Sequence, residues 1–285
     1  MSLPSSVERG LATLIETLYL RPRLGLRAVR RLFSGVARCR VGGIPILIGI
    51  ASENEQVRAE TYETKEPETL DWLRANLREG DVFFDVGANI GLYAIFAAKL
   101  KPSCRVYAFE PEAHNFSSLC HNILLNGTSN VTPCSFPLSD REAFEHLYVY
   151  DLRPGSALHS LGEPSAFREG PERLRQGTLG VSLDALVREF KLPPPSLLKL
   201  DVDGNEEKIL GGGAQLLRSG GLRSILVEVT YSGDGDGSWA ERMLSEYGYV
   251  PAGRSDWEVE LRGLRSRNFI FNRTQDSREN DGRQP

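Results

Sequence analysis

The sequence predicts an α/β fold: a mostly parallel, doubly wound sheet with helices on both faces, plus an N-terminal helical extension. Three observations predict it. Apolar runs of strand length alternate with stretches of helical periodicity along most of the chain. The run Val82-Phe83-Phe84 passes into the helical pattern Leu92 to Leu100 through Asp85-Val86-Gly87-Ala88-Asn89-Ile90-Gly91, whose two glycines permit a tight turn. Arg105-Val106-Tyr107-Ala108-Phe109 then reads as a second buried strand and ends in Glu110.

Taken in order, Leu11, Leu14, Ile15, Leu18 and Leu20 recur near helical spacing until Pro22 interrupts them. Two short helices are expected between Ser5 and about Arg40. Arg21, Arg23, Arg27, Arg30, Arg31, Arg38 and Arg40 follow without an intervening acid, so this segment either packs on the main domain or contacts an anionic membrane surface or carrier. Val41 to Ile50, with Gly42, Gly43 and Pro45, reads as a strand or hairpin covering one end of the site. Strands are expected near 82–86, 105–109, 131–136, 197–201 and 223–229, with an antiparallel addition near 249–254 and 267–272. Helices are expected over 68–78, 91–100, 112–125, 182–190, 205–218 and 238–246, and Thr69 to Asn76 should lie over the site entrance. Asp151 to Gly177, rich in Gly, Pro, Ser and Arg, is either a mobile substrate loop or disordered. The tail from Arg273 is polar, lacks aromatics and is expected to be disordered. The resulting partition is 1–65, extension and cover; 66–272, the catalytic domain; 273–285, the tail.

Composition fits a single globular unit. With 285 residues, 40% apolar and 25% charged, the chain can bury one large core. A net charge of −4 argues against a general nucleic-acid binder. Cys39, Cys104, Cys120 and Cys134 form no C-x-x-C pair and read as buried thiols in a reducing compartment, so no metal site and a cytoplasmic location are expected. No apolar run approaches membrane-spanning length, and the N-terminus lacks signal-peptide order.

The glycine turn and Glu110, 23 residues beyond Gly87, together describe a nucleoside site, with the carboxylate placed to accept from two ribose hydroxyls. A pyrophosphate-binding G-x-G-x-x-G turn would need glycines at 87, 89 and 92, but Asn89 and Leu92 stand there, so NAD fits poorly. S-adenosylmethionine (SAM) has no phosphates, and its ammonium and carboxylate suit the Asp85 carboxylate, the loop N–H groups and the following helix N-terminus. The cofactor-binding set is Asp85, Gly87, Ala88, Asn89, Gly91, Glu110, Ser139 and Asp201. Ligands of open α/β sheets gather at the carboxyl ends of the strands, where Asp201, Asp203 and Glu228 fall. These three, with His159 of the 151–177 segment, are the candidate catalytic groups. Lys199, two residues before Asp201, points to the same side of its strand, where it either lowers the acceptor hydroxyl's pKa or neutralises Asp201. Asp203-Gly204-Asn205 also reads as a helix N-cap, and its glycine sits too early for a calcium-binding EF-hand loop. His114, His121 and His146 read as structural.

Asp81 to Gly91, Phe109-Glu110-Pro111, Val181-Ser182-Leu183-Asp184 and Leu198 to Glu206 resemble, in order and spacing, the successive motifs of the FkbM-type SAM-dependent methyltransferases. The resemblance runs from about Glu66 to Phe271, and Asn268-Phe269-Ile270-Phe271 looks like that family's last strand. The chain departs from the pattern at Asp203, more often Glu in the family, and at Asn205, often His or Ala. The resemblance implies a Rossmann-like class I methyltransferase fold with a seven-stranded sheet, SAM as cofactor, and O-methylation of a hydroxyl on a small-molecule or glycan acceptor. The alternatives are methylation of nucleic acid, protein or an amine, or a nucleotide-binding module without turnover.

Overall fold

The computed structural model describes residues 35–232 and 238–274. Most of the stretch from Ser5 to about Arg40 expected to form two short helices lies outside the described residues, as does the tail beyond Thr274; its last residues, with Arg38 and Arg40, form a strand instead of helix. In chain order the elements are β1 (Gly35–Val41), β2 (Ile44–Ile50), α1 (Glu53–Thr61), α2 (Pro67–Asn76), β3 (Val82–Val86), α3 (Leu92–Leu100), β4 (Arg105–Phe109), α4 (Ala113–Asn126), β5 (Val131–Cys134), β6 (Leu138–Ser139), β7 (Ala143–Val149), β8 (Ser160–Leu161), β9 (Leu174–Ser182), α5 (Leu183–Arg188), β10 (Leu197–Leu200), α6 (Glu206–Gly211), α7 (Ala214–Arg218), β11 (Ser224–Ser232), α8 (Ser238–Ser245), β12 (Tyr249–Arg254), β13 (Val259–Leu261) and β14 (Leu264–Arg273).

Every residue of β3 and β10 is buried, as expected of parallel strands covered on both faces. The main sheet runs β12-β14-β11-β10-β3-β4-β5, with β13 attached to β14. Alternation along the strands divides its core in two. Phe83, Leu197 and Leu226 pack beneath Ile46, Ile48, Leu73, Ile95 and Leu119 of the hairpin and of α2 to α4. Phe84, Leu198 and Val227 face Leu186, Ile209, Leu217 and Leu244 of α5 to α8. The hairpin β1–β2 is therefore a packed wall of the domain; the Asn122 and Asn126 side chains accept from the Gly49 and Leu47 amides and hold it against α4.

The chain proceeds from β3 outward through β4 and β5, then returns to β10 and β11 on the other side of β3. This reversal leaves a crevice at the carboxyl ends of β3 and β10, the place where such sheets bind ligands.

The structure differs from expectation at five places. Only β14 is antiparallel in the main path: because it opposes both β11 and β12, the 249–254 strand runs parallel to the rest. The single helix expected over 205–218 is two, broken at Gly212, where a Cβ would lie 2.6 Å from the Ser139 carbonyl oxygen. Helix α1 was not expected, although its capping box is visible as Ser52-x-x-Glu55: the Ser52 hydroxyl accepts from the Glu55 amide at 3.1 Å, and Glu55 accepts from the Ala51 amide at 2.6 Å. The 151–177 segment is neither disordered nor free: it enters a four-stranded sheet, β6-β9-β7-β8. Finally, β14 continues to Arg273, whose guanidinium donates to the Leu217 carbonyl at 2.5 Å. No described helix is long and apolar enough to cross a membrane.

Candidate active site

The turn after β3 is built for close approach. Gly87 has φ +80°, and a Cβ there would fall 1.8 Å from the Asp201 carbonyl oxygen, so no side chain fits between β3 and β10. The Gly87 and Ala88 amides both donate to the Phe109 carbonyl at 3.0 Å, which ties the turn to β4. Asn89 adopts φ +50°; its amide donates to Glu110 Oε2 at 2.8 Å and its Nδ2 donates to the Ser156 carbonyl at 2.7 Å. Gly91, at φ +89°, caps α3 where Leu119 would stand 2.5 Å from a Cβ, so it serves helix packing and lines neither cavity described below. Glu110 accepts from the Glu112 amide at 2.9 Å as well, and burial pushes its carboxyl up to about 7 against those two bonds.

Register places Lys199 opposite Asp85. Lys199 Nζ donates to Asp201 Oδ2 at 2.8 Å, stands 4.0 Å from Asp85 and 5.1 Å above the Tyr93 ring. Asp85 is fully buried, and both its oxygens lack a hydrogen-bond partner among the described residues; burial raises its carboxyl to about 6 despite Lys199. Burial also works against the charge on Asp201, but Lys199, Lys65 and Arg58 prevail and hold its carboxyl below the ordinary range. Asp203 is in a left-handed conformation at φ +61°; its Oδ2 accepts from the Leu158 amide at 2.7 Å, and burial together with Asp201 lifts it to about 6. Glu228 accepts no hydrogen bond from another described residue, and burial beside Asp201, Asp203, Glu206 and Glu66 raises it well above the usual carboxylate range.

These side chains surround a cavity of about 210 Å³, bounded by Gly87, Ala88 and Asn89 on one side, by Asp201, Asp203 and Glu228 on another, and by Ala157, Leu158 and Phe167. A second cavity of about 40 Å³ opens on the other flank of Gly87 among Phe109, Leu138, Leu147, Leu161 and Val202. His159 lines this smaller, apolar cavity and is not among the residues lining the larger one. Its Nδ1 accepts from the Tyr150 amide at 3.4 Å and its Nε2 meets Ser156 Oγ at 2.8 Å, while burial lowers its pKa. It is thus engaged as a brace of the 151–160 segment, away from the acid group. Ser139 lines neither cavity; its hydroxyl donates to Glu145 at 3.0 Å inside the small sheet. Glu110 and Asp85 stand behind the cavity walls, at the ends of β4 and β3.

Several site residues carry no motif in the sequence. Arg58, Tyr62, Lys65 and Glu66 reach the large cavity from α1 and the turn after it, so the entrance is bordered by that segment instead of by the body of α2. Glu66 receives Lys65 Nζ at 2.5 Å and the Tyr93 hydroxyl at 2.9 Å. Glu206, the first residue of α6, curls back to accept from the Val202 and Gly204 amides at 2.9 and 3.1 Å and shapes the Asp201–Asn205 turn.

The two-cavity arrangement fits SAM: the apolar pocket beside Phe109 and Leu161 suits a flat purine, Glu110 a ribose, and the orphaned Asp85 carboxylate an ammonium. The fit is in donor and acceptor chemistry: the Gly87 and Ala88 amides are bonded to Phe109 and the Asn89 amide to Glu110, which leaves no amide array there for a pyrophosphate.

Comparison with known proteins agrees. Over 213 residues the chain is 30% identical to a 31-O-demethyl-FK506 methyltransferase of Streptomyces tacrolimicus, an alignment covering 63% of this chain and 76% of that protein. It is 28% identical to a hexuronic acid methyltransferase of Haloferax volcanii over 164 residues, covering 58% of this chain and 62% of the relative, less than two thirds of its length. Among solved structures, an FkbM methyltransferase from Methylobacillus flagellatus aligns with a TM-score of 0.45 at 15% identity, covering 77% of this chain and 56% of that one. The model of the methyltransferase FkbM domain matches residues 85–251, more than half of the chain, from the orphaned Asp85 through Glu110, Asp201 and Glu228, and the chain belongs to that family, whose cofactor is SAM.

Proposed function

We propose that this protein is a SAM-dependent O-methyltransferase acting on a hydroxyl of a small-molecule or glycan acceptor. The observation that carries the reading is the convergence of Asp201, Asp203 and Glu228 on one cavity directly across Gly87 from an apolar pocket. When bound, SAM supplies an electrophilic methyl group on a sulfonium that is already an excellent leaving group. The protein's tasks are then alignment, exclusion of water and acceptance of a proton. Asp201 is ionised beside Lys199, and its Oδ1, which takes no hydrogen bond from another described residue, receives the acceptor hydroxyl. A hydroxyl oxygen becomes strongly acidic as it is alkylated, so even a weakly basic carboxylate suffices provided it is in place. Glu228, whose carboxyl burial pushes well above the usual carboxylate range, donates in its protonated form to a second acceptor oxygen, which suits a polyhydroxyl compound.

The names of the two relatives, one for a hexuronic acid and one for a natural-product hydroxyl, support oxygen as the methylated atom. The acid-lined cavity also disfavours a phosphodiester acceptor. Incubation with methyl-labelled SAM and a panel of monosaccharides, hexuronic acids and hydroxylated natural products tests the reading. Label in an ether of one of these supports it; label confined to added RNA, protein or amines overturns it.

A further inference from the structure

Three cations line the large cavity. Lys65 is paired with Glu66 at 2.5 Å and Lys199 with Asp201 at 2.8 Å. Among the described residues Arg58 forms no ion pair within 4.0 Å, and its one hydrogen bond runs from Nε to the Gly155 carbonyl at 2.6 Å. That bond fixes the plane of the guanidinium and leaves Nη1 and Nη2 without a partner among the described residues. A fixed, half-buried, unpaired arginine fork at a ligand cavity is an anion receptor: its geometry matches the two oxygens of a carboxylate.

Which anion it takes follows from its surroundings. Glu66, Asp201, Asp203 and Glu228 share the cavity, and with Lys65 and Lys199 taken by Glu66 and Asp201, Arg58 is the lining cation left for a ligand's anion among the described residues. Arg58 lines the same cavity as Gly87, Ala88 and Asn89, the last of which is bonded to Glu110, and as Asp201 and Asp203, so it faces both the turn beside Glu110 and the acids at the end of β10. The aminocarboxypropyl arm of SAM leaves the sulfonium between these two, and its carboxylate is the one anion that every turnover must bring. Resting on the methyltransferase reading above, we infer that Arg58 receives the carboxylate of the cofactor's amino-acid arm, a binding role for a helix residue outside the 85–251 family match.

The test needs no acceptor and no turnover. S-adenosylhomocysteine (SAH) carries the arm, whereas 5′-methylthioadenosine shares the adenosine and thioether but lacks it. Calorimetric titration of both into the full chain should show tighter binding of SAH. Arg58→Met should weaken SAH about ten- to a hundredfold, as expected for a lost charge-assisted pair, and leave methylthioadenosine unchanged; Arg58→Lys, which keeps the charge without the fork, should fall between. Equal weakening of both ligands would mean that Arg58 only braces Gly155, and unchanged SAH binding would assign the fork to another anion; either result overturns the inference. A wild-type protein that binds neither ligand would instead sink the SAM-dependent reading itself.

Discussion

At the scale of single residues, Glu110 shows how one side chain serves fold and ligand at once. It holds the Asn89 and Glu112 amides, yet each carboxylate oxygen keeps a lone pair that a ribose hydroxyl can use. Glu110→Ala should weaken SAM roughly ten- to a hundredfold, the loss of hydrogen bonds to a charged group, and calorimetry checks it. The sign of the pH effect follows: hydroxyl donors favour the ionised carboxylate, whose pKa is raised to about 7 in the free protein. SAM binding should therefore release a proton near neutrality, and affinity should rise as pH climbs through about 7, measured by titration in buffers of different ionisation enthalpy. Asp201→Asn keeps shape but removes charge and basicity, so turnover should fall by about two to four orders of magnitude with a smaller change in SAM affinity. The strand-end placing of Gly87, Glu110 and Asp201 was legible because each sits within a motif. The placing of Arg58 at the cavity was not, because a helix surface arginine has no local pattern that separates a cavity lining from a solvated charge. His159 was assigned to the substrate loop by position, and its two ring contacts, unreadable from sequence, turn it to the other cavity.

At the scale of elements, the site depends on two close approaches. The turn after β3 presses on the end of β10, so Gly87→Ala combines a left-handed conformation with a clash against backbone. It should destabilise the protein by about 2–5 kcal/mol, read from urea unfolding, and abolish SAM binding in whatever remains folded. The second approach is the strap of the 154–158 segment. Ser52, Arg58, Asn89, Asn115 and Asp203 each bond its backbone, and Leu158 is held at φ +65°. A segment whose composition suggested mobility is thereby a wall of the larger cavity. Asn89→Ala should raise hydrogen exchange at the amides of residues 156–158 while leaving β3 and β10 protected. The parallel strands were readable because burial on both faces makes them continuous apolar runs. The small sheet was not, since β9 passes through Gly177 and Gly180, and Gly177 is there because the Phe144 ring would lie 2.8 Å from a Cβ.

At the scale of the whole molecule, the crevice concentrates carboxyl groups that the fold holds partly protonated. Asp85 and Asp203 are raised from 3.8 to about 6, and Glu110 and Glu206 from 4.5 to about 7. A carboxyl whose pKa is raised by folding binds its proton more tightly in the native state, so its contribution is lost as pH climbs from the unfolded value to the folded one. Stability of the free protein should decline between about pH 4 and pH 7 from these groups, and Glu110→Gln should flatten that decline in urea melts across the range. Acids held low, such as Asp81 beside Arg223, act in the opposite sense and lose their contribution below about 3.8. The mostly parallel sheet, the placing of its ligand crevice at the carboxyl ends of the strands and the cofactor class all followed from strand pattern and motif spacing, whereas the packing of the β1–β2 hairpin into the core did not, because glycines and Pro45 obscure its alternation.

The central claim is that the cofactor spans the crevice, with its nucleoside on the Glu110 side and its sulfur facing the acids. A crystal structure with SAH tests it most directly. The account predicts the ribose hydroxyls on Glu110, the purine beside Phe109 and Leu161, and the thioether sulfur turned toward the cavity of Asp201 and Glu228. A complex with the adenosine in that larger cavity, or with Glu110 untouched, would contradict it.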